Sequence, residues 1–236
     1  MSMPPARTRS WPHRLGLHSR TGRRRLTFAF AMLALSGFAM LAGEMRESDT
    51  ARWDTAALHL AQQWRATHPL VEAVMRELSS LGSTPVMTLF TALAAGCLCM
   101  AGRPARATAV SLAMVTGALA VTALKSGFGR ARPDPAFAAL VQEGLSFPSG
   151  HASMSAVFYL TVGVLVAQQQ ERLRMRAFLI GLGTFMAGLV GVTRVMLGVH
   201  WASDVLAGWA FGAGWAALWF WIAAHLGDAR RARSGA

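Results

Sequence analysis

The chain has 236 residues, of which 53% are hydrophobic and only 14% charged, with a mean hydropathy of +0.37. An ordinary soluble domain carries about 25% charged residues, so a water-soluble globule is excluded in favour of a compact multi-pass membrane bundle. The formal net charge of +12 does not point to nucleic acid, because its arginines gather in the termini and in short gaps between apolar runs, where they set membrane topology.

Residues 1–25 are polar and Arg-rich and read as a disordered, basic cytoplasmic tail. The first apolar run, about 26–43, follows a basic stretch as the core of a signal peptide does. It is longer than the roughly 7–15 residues of such a core, so a retained first span is the preferred reading. Further runs at about 81–102, 107–124, 152–170, 177–193 and 205–224 complete six candidate spans, each near the ~20 residues that cross a bilayer. The expected fold is all-α: a polytopic protein with one unit over 26–226, a catalytic core at about 106–226, and a basic cytoplasmic tail over 227–236. Cys97 and Cys99 stand two apart in the second run, which argues against a mutual disulfide and suggests buried thiols.

Arg103 and Arg106, the trio Arg172, Arg174 and Arg176, and the C-terminal Arg230, Arg231 and Arg233 all fall on the same side as the N-terminal tail if there are six crossings. That side is the cytoplasm. Ala- and Arg-rich usage with short loops suggests a bacterial inner membrane, with both termini inside and the opposite gaps facing the periplasm. The first outward gap, 44–80, holds Trp53, Ala57, Ala61 and Trp64, and then Leu70, Val71, Val74, Met75 and Leu78, at helical spacing. It is expected to form one or two amphipathic helices at the membrane surface, either as a cap or as a substrate-admitting element. In the last run Gly208 and Gly212 have the spacing of close helix packing.

Basic residues on the outward side run against this trend. Lys125, Arg130 and Arg132 follow the third run and Arg194 closes the fifth. Singly, each is explained by snorkelling to lipid headgroups. Together with Ser149, His151, His200 and Asp204 on the same face, they make a set suited to a phosphate ester, which Arg binds with two planar donors and Lys with a compact charge. In FPSGHAS, Phe147 to Ser153, Pro148 shapes a turn while Ser149 and Gly150 bring hydroxyl and N–H groups to a helix start, where anions bind. His151 would reach the same anion. His200 and Asp204, four apart, share a helical face, and a carboxylate on one ring nitrogen leaves the other free as base or nucleophile. A structural hydrogen bond between them, or a metal site of two His and one Asp, are the alternatives, though clustered Lys and Arg would repel a cation.

These three segments resemble the type-2 phosphatidic acid phosphatase family, which shares its core with bacterial acid phosphatases and vanadium haloperoxidases. The family pattern K-x6-RP corresponds to Lys125 through Arg132-Pro133, PSGH to Pro148–His151, and SR-x5-H-x3-D to Thr193-Arg194 through His200 to Asp204, with Thr in place of Ser as the departure. The resemblance implies a membrane-bound lipid phosphatase in which His200 attacks phosphorus to give a phosphohistidine. It further implies that Asp204 orients His200, His151 protonates the leaving oxygen, and Lys125, Arg132, Ser149, Gly150 and Arg194 hold the phosphoryl oxygens. No metal and no cofactor is implied. The expected partners are a lipid phosphate or diphosphate of the undecaprenyl diphosphate, phosphatidate or phosphatidylglycerophosphate type and the surrounding membrane lipids, with no nucleic acid and no indication of oligomeric state. A phosphoryl transferase using the same site, a haloperoxidase and a lipid transporter are the competing readings. Arg130 lies off the signature and is expected to contact a headgroup.

Overall fold

A computed structural model describes residues 20–47 and 50–234. Among these residues every regular element is helical: α1 Arg20–Arg46, α2 Ala51–Thr67, α3 Pro69–Ser80, α4 Thr84–Met100, α5 Pro104–Phe128, α6 Gly150–Ala167, α7 Leu173–Met196 and α8 Ala202–Ser234. The helices start where the sequence permits it. Pro69 and Pro104 sit at first helical positions, where their missing N–H costs nothing. Gly129, at φ 63°, closes α5 in the left-handed conformation that terminates helices.

Helices α1, α5, α6, α7 and α8 are each long and apolar enough to cross a membrane. The 17-residue α4 is shorter, and it reaches spanning length and composition only together with α3, bent from it by 44°. The six expected crossings therefore have helical counterparts, with the second starting at Thr84 after a turn at 81–83. The outward gap folds into two helices, α2 and α3, as its periodicity predicts.

Helix α6 is the centre of the bundle, packing on α4, α5, α7 and α8, while α1 packs along α8. Gly208 and Gly212 make the close approach expected of them. A Cβ at Gly212 would lie 2.4 Å from the Ser153 carbonyl oxygen on α6. Helices α2 and α3 lie against α7, and α2 also touches α8, so the outward pair is docked on the bundle.

Helix α1 begins at Arg20 within the segment expected as a 1–25 tail, whose residues 1–19 lie outside the described residues, and α8 continues to Ser234 through the basic segment expected at 227–236. Ala and Arg are good helix formers, and each added residue closes a further backbone hydrogen bond. Cys97 and Cys99 are free and exposed, not buried, because α4 is at the periphery of the bundle. On α2 the buried positions are Asp54, Leu58 and Ala61. The Trp53–Ala57–Ala61–Trp64 stripe lines an apolar groove of about 750 Å³ between α2, α3, α7 and α8, Ala61 belonging to both sets.

Candidate active site

The C-terminal ends of α5 and α7 and the N-terminal ends of α6 and α8 converge with the 129–149 loop. The turn from α7 to α8 sets the central residue. Gly198 has φ 69°, and a Cβ there would fall 2.0 Å from the Phe137 carbonyl oxygen. The chain can therefore press against the 3₁₀ turn at Pro135–Phe137, pinned by a hydrogen bond from Ala139 N to the Leu197 carbonyl at 2.9 Å. Two residues later His200 is delivered fully into the interior, 2% exposed.

The two ring nitrogens of His200 meet different chemistry. Nδ1 lies 3.2 Å from Asp204 Oδ2 and 3.3 Å from Ser146 Oγ. Nε2 faces Arg132 Nη1 at 3.1 Å. A guanidinium has donors only, so Nε2 must be the unprotonated acceptor and Nδ1 carries the proton. The charge state agrees: burial pushes the His200 imidazole down to about 4, with Arg132 and Lys125 acting in the same sense and the Asp204 hydrogen bond and charge opposing them. At neutral pH the ring is uncharged, with its Nε2 lone pair turned toward the cations.

Asp204 is sealed from solvent and saturated with donors. Oδ2 accepts from Trp201 N at 3.0 Å, from His200 Nδ1 and, in a short contact, from the Ser146 hydroxyl. Oδ1 accepts from Arg130 Nη1 at 2.6 Å. Arg130 is thus a partly buried partner of the site, turned inward to a carboxylate and not out to a headgroup. Its other amine, Nη2, meets Asp54 Oδ2 at 2.7 Å.

Of the remaining expected residues, Arg132 is the one in contact with Nε2 among the described residues, and the others stand on neighbouring segments. Arg132 donates to the carbonyls of Glu143, Gly144, Leu145 and Val199, and Lys125 Nζ to those of Leu145 and Ser146 at 2.6 and 3.1 Å. Burial draws the Arg132 pKa down, with Asp204 countering, but a guanidinium starts so high that it stays charged. Arg194 is 3% exposed. It donates through Nη1 to Ser79 Oγ at 2.6 Å and through Nη2 to Gln142 Oε1, while its buried Nε–H has no partner. Ser149 caps α6, its backbone N–H bonding the Asp204 carbonyl at 3.0 Å and its hydroxyl accepting distantly from Ala152 N at 3.5 Å. At Gly150 a Cβ would come no nearer than 3.9 Å to Lys125 Cε, so the helix start and the lysine adjoin without crowding. His151 makes no hydrogen bond among the described residues. Its ring is subject to the charges of Arg194, Arg132 and Lys125 and abuts the α3–α4 turn, 3.4 Å from the place of a Cβ on Gly82.

Sequence reasoning missed Ser146, Asp54, Ser203, Gln142 and Ser79. Asp54 had a visible signal, as an acid one helical turn from Leu58 on what proves to be the buried face. The other four are neutral polar residues in loops or at helix ends and carry no periodic signal.

A buried, oriented imidazole in contact with a guanidinium is therefore assembled from residues of three motifs in chain order. Residues 106–228 match the sequence pattern of the PAP2 superfamily. The chain belongs to that superfamily. One PAP2 relative, phosphatidylglycerophosphatase B of Bacillus subtilis, is 38% identical over 91 residues, 38% of this chain and 44% of that protein. In this comparison the chain spans less than half of the relative's length. Another, decaprenylphosphoryl-5-phosphoribose phosphatase of Mycobacterium tuberculosis, is 32% identical over 69% of this chain and 86% of its own length. Among solved structures, a transmembrane PAP2-type phosphatidylglycerolphosphate phosphatase from Bacillus subtilis superposes with a TM-score of 0.71 at 28% identity. That superposition covers 80% of this chain and 94% of the other. The resemblance read from the three motifs thus agrees with the family of the whole fold.

Proposed function

We propose that this PAP2 protein is a metal-independent lipid phosphatase acting on a phosphomonoester or diphosphate of a lipid at the periplasmic face of a bacterial inner membrane. The observation that carries the reading is the opposed environment of the two His200 nitrogens: Nδ1 held by Asp204, Nε2 bare of hydrogen and facing Arg132. That is the arrangement of a nucleophile with its orienting group.

In this reading the substrate phosphate enters among Lys125, Arg132 and Arg194, and Arg132 exchanges its contact with Nε2 for phosphoryl oxygens. The unpaired Nε–H of Arg194 gains an acceptor, removing the roughly 1–3 kcal/mol cost of an unsatisfied buried donor. Ser149 and the N–H groups at the start of α6 add donors. Nε2 attacks phosphorus; the P–O bond to the leaving group breaks, and that oxygen takes a proton from His151. The Nδ1 proton stays between His200 and Asp204, whose negative charge balances the phosphorylated ring. Water, giving a proton back to His151, then attacks phosphorus, the P–N bond breaks and inorganic phosphate leaves. The cations do their largest work where negative charge spreads in the transition state, which is the task a metal ion would otherwise perform.

The relatives are named for phosphatidylglycerophosphate and for decaprenylphosphoryl-5-phosphoribose, each a lipid-linked phosphate. Undecaprenyl diphosphate, phosphatidate and phosphatidylglycerophosphate are the corresponding candidates here. The test is phosphate release from this panel by purified protein in detergent with chelator, wild type beside His200→Ala. Release by the wild type alone supports the reading. Equal release by the variant, or release that chelator abolishes, refutes the phosphohistidine or the metal-independent part respectively. Transfer to an added alcohol without free phosphate would instead mark a transferase.

A further inference from the structure

Helix α2 lies outside the three motifs, yet it carries one residue bound into the innermost network. Asp54 is fully buried on a helix whose Trp64 is 59% exposed. Its Oδ1 accepts the Ser203 backbone N–H at 2.8 Å, and its Oδ2 accepts the Ser203 hydroxyl at 2.6 Å and Arg130 Nη2 at 2.7 Å. Arg130 Nη1 donates to Ser203 Oγ and to Asp204 Oδ1, both at 2.6 Å. Thr50 Oγ1 lies 3.5 Å from Nη2, and the guanidinium stands 5.3 Å from the centre of the Trp201 ring. One arginine therefore bridges two buried carboxylates, giving each one amine.

The division matters because of what Arg130 would do otherwise. A guanidinium prefers to meet a carboxylate through two parallel donors, one on each oxygen. Such a pairing with Asp204 would occupy Oδ2 and compete with His200 Nδ1 for it. Asp54, fixed by Ser203, holds the second amine and restricts Arg130 to Oδ1. Oδ2 is thereby kept clear of the guanidinium and left to the ring, Trp201 N and the Ser146 hydroxyl.

We infer that Asp54 is a positioning residue for the reaction: through Arg130 it keeps Asp204 Oδ2 turned toward His200, so the outward helix α2 belongs to the catalytic assembly. The inference rests on the phosphohistidine reading above. It also explains why Arg130 stands on the outward side without belonging to the signature.

The test compares wild type, Asp54→Asn and Arg130→Lys. In Asp54→Asn the amide cannot neutralise the guanidinium, and in Arg130→Lys a single ammonium cannot span both carboxylates. Phosphate release is measured on the best substrate of the panel. Binding of orthovanadate and of inorganic phosphate is read by competition. Vanadate accepts a bond from the nucleophile and so reports its orientation, whereas phosphate reports the cationic clamp alone. In both variants kcat is expected to fall about 10-fold or more while KM stays within about 2-fold, the pattern of an interaction realised in the transition state. Vanadate affinity should fall with kcat and phosphate affinity should not. The double variant should be no worse than the poorer single one, because both break one bridge. A folded Asp54→Asn with wild-type kcat overturns the inference. So does a parallel loss of kcat, both anion affinities and thermal stability, which would mark a scaffold role only. Should Asp54→Asn fail to fold, Arg130→Lys is judged by the same two outcomes. A wild type that neither releases phosphate nor prefers vanadate to phosphate overturns the phosphatase reading itself, which separates the two failures.

Discussion

Asp204 Oδ2 and His200 Nδ1 stand 3.2 Å apart with both residues sealed from solvent, and among the described residues Asp204 is the ring's one carboxylate partner. The pair spans a single i,i+4 step across the head of α8. Asp204→Asn keeps the shape but offers the ring an amide in place of a charge, and it lets the proton settle on Nε2. We expect kcat to fall about 100-fold or more, the direction and scale seen when an orienting carboxylate is lost. Steady-state phosphate release, with protein folding checked by thermal denaturation in detergent, measures it.

The pH dependence has a definite sign. His200 must be neutral to attack, and burial holds its folded-state pKa at about 4, below the usual 6.5. Lowering the pH toward that value protonates Nε2 and removes the nucleophile, so the acid limb of kcat/KM set by His200 should lie near pH 4 and not in the ordinary imidazole range, while loss of the His151 proton shapes the opposite limb. A profile of kcat/KM from about pH 3 to about pH 7 checks this, since that ratio reports the free enzyme. An acid limb centred at the ordinary histidine value would contradict the buried, cation-flanked environment.

Gly198 is a second place where a small change reaches the site. Alanine there would have to adopt φ 69° and set its Cβ 2.0 Å from the Phe137 carbonyl oxygen. The left-handed conformation alone costs roughly 1–2 kcal/mol, and the clash is with backbone that cannot rotate away. We expect Gly198→Ala to lower the unfolding midpoint and to lose activity, as the turn that delivers His200 is forced away from the 135–139 segment. Differential scanning fluorimetry and phosphate release test the two effects together.

Topology can be read chemically. Cys97 and Cys99 are free, exposed and remote from the convergent helix ends, so replacing both with Ala should leave activity within about 2-fold, as surface substitutions usually do. In that background Val141→Cys, at a position 93% exposed on the outward loop, should react with a membrane-impermeant maleimide in intact cells. Glu171→Cys, in the α6–α7 turn, should react only after lysis. The reverse pattern would invert the proposed orientation.

The number of helical crossings and the convergence of three motifs were legible because each rests on a strong local signal: apolar length, Arg distribution, and fixed spacing around Lys125, His151 and His200. The supporting residues were not. Ser146 contacts Asp204 from 58 residues away, and Ser79 contacts Arg194 from 115, and a neutral hydroxyl in a turn gives no hint of so distant a partner. The inward face of α2 was not legible for a related reason. Tryptophan dominates a periodicity count, yet Trp53 and Trp64 line the outer groove while the smaller Leu58 and the charged Asp54 turn inward. An acid on a buried face goes against burial preference, and only its partner Arg130, 76 residues on, makes sense of it. Arg130 itself was conspicuous for its side of the membrane, but spacing could not say that it serves a carboxylate.

The bond between Asp54 and Ser203 joins residues 149 positions apart, and that separation has a meaning in time. A ribosome delivers the first of them long before the second. Asp54 leaves the ribosome while the segment that will become α8 has not been translated, and its partners arrive only with the final span. A nascent chain caught partway through insertion, with α1 to α7 in place, lacks Ser203, Asp204 and the latch that orders them. Under the proposed function, hydrolytic competence is thus withheld until α8 is threaded, and the membrane is spared a half-built phosphatase.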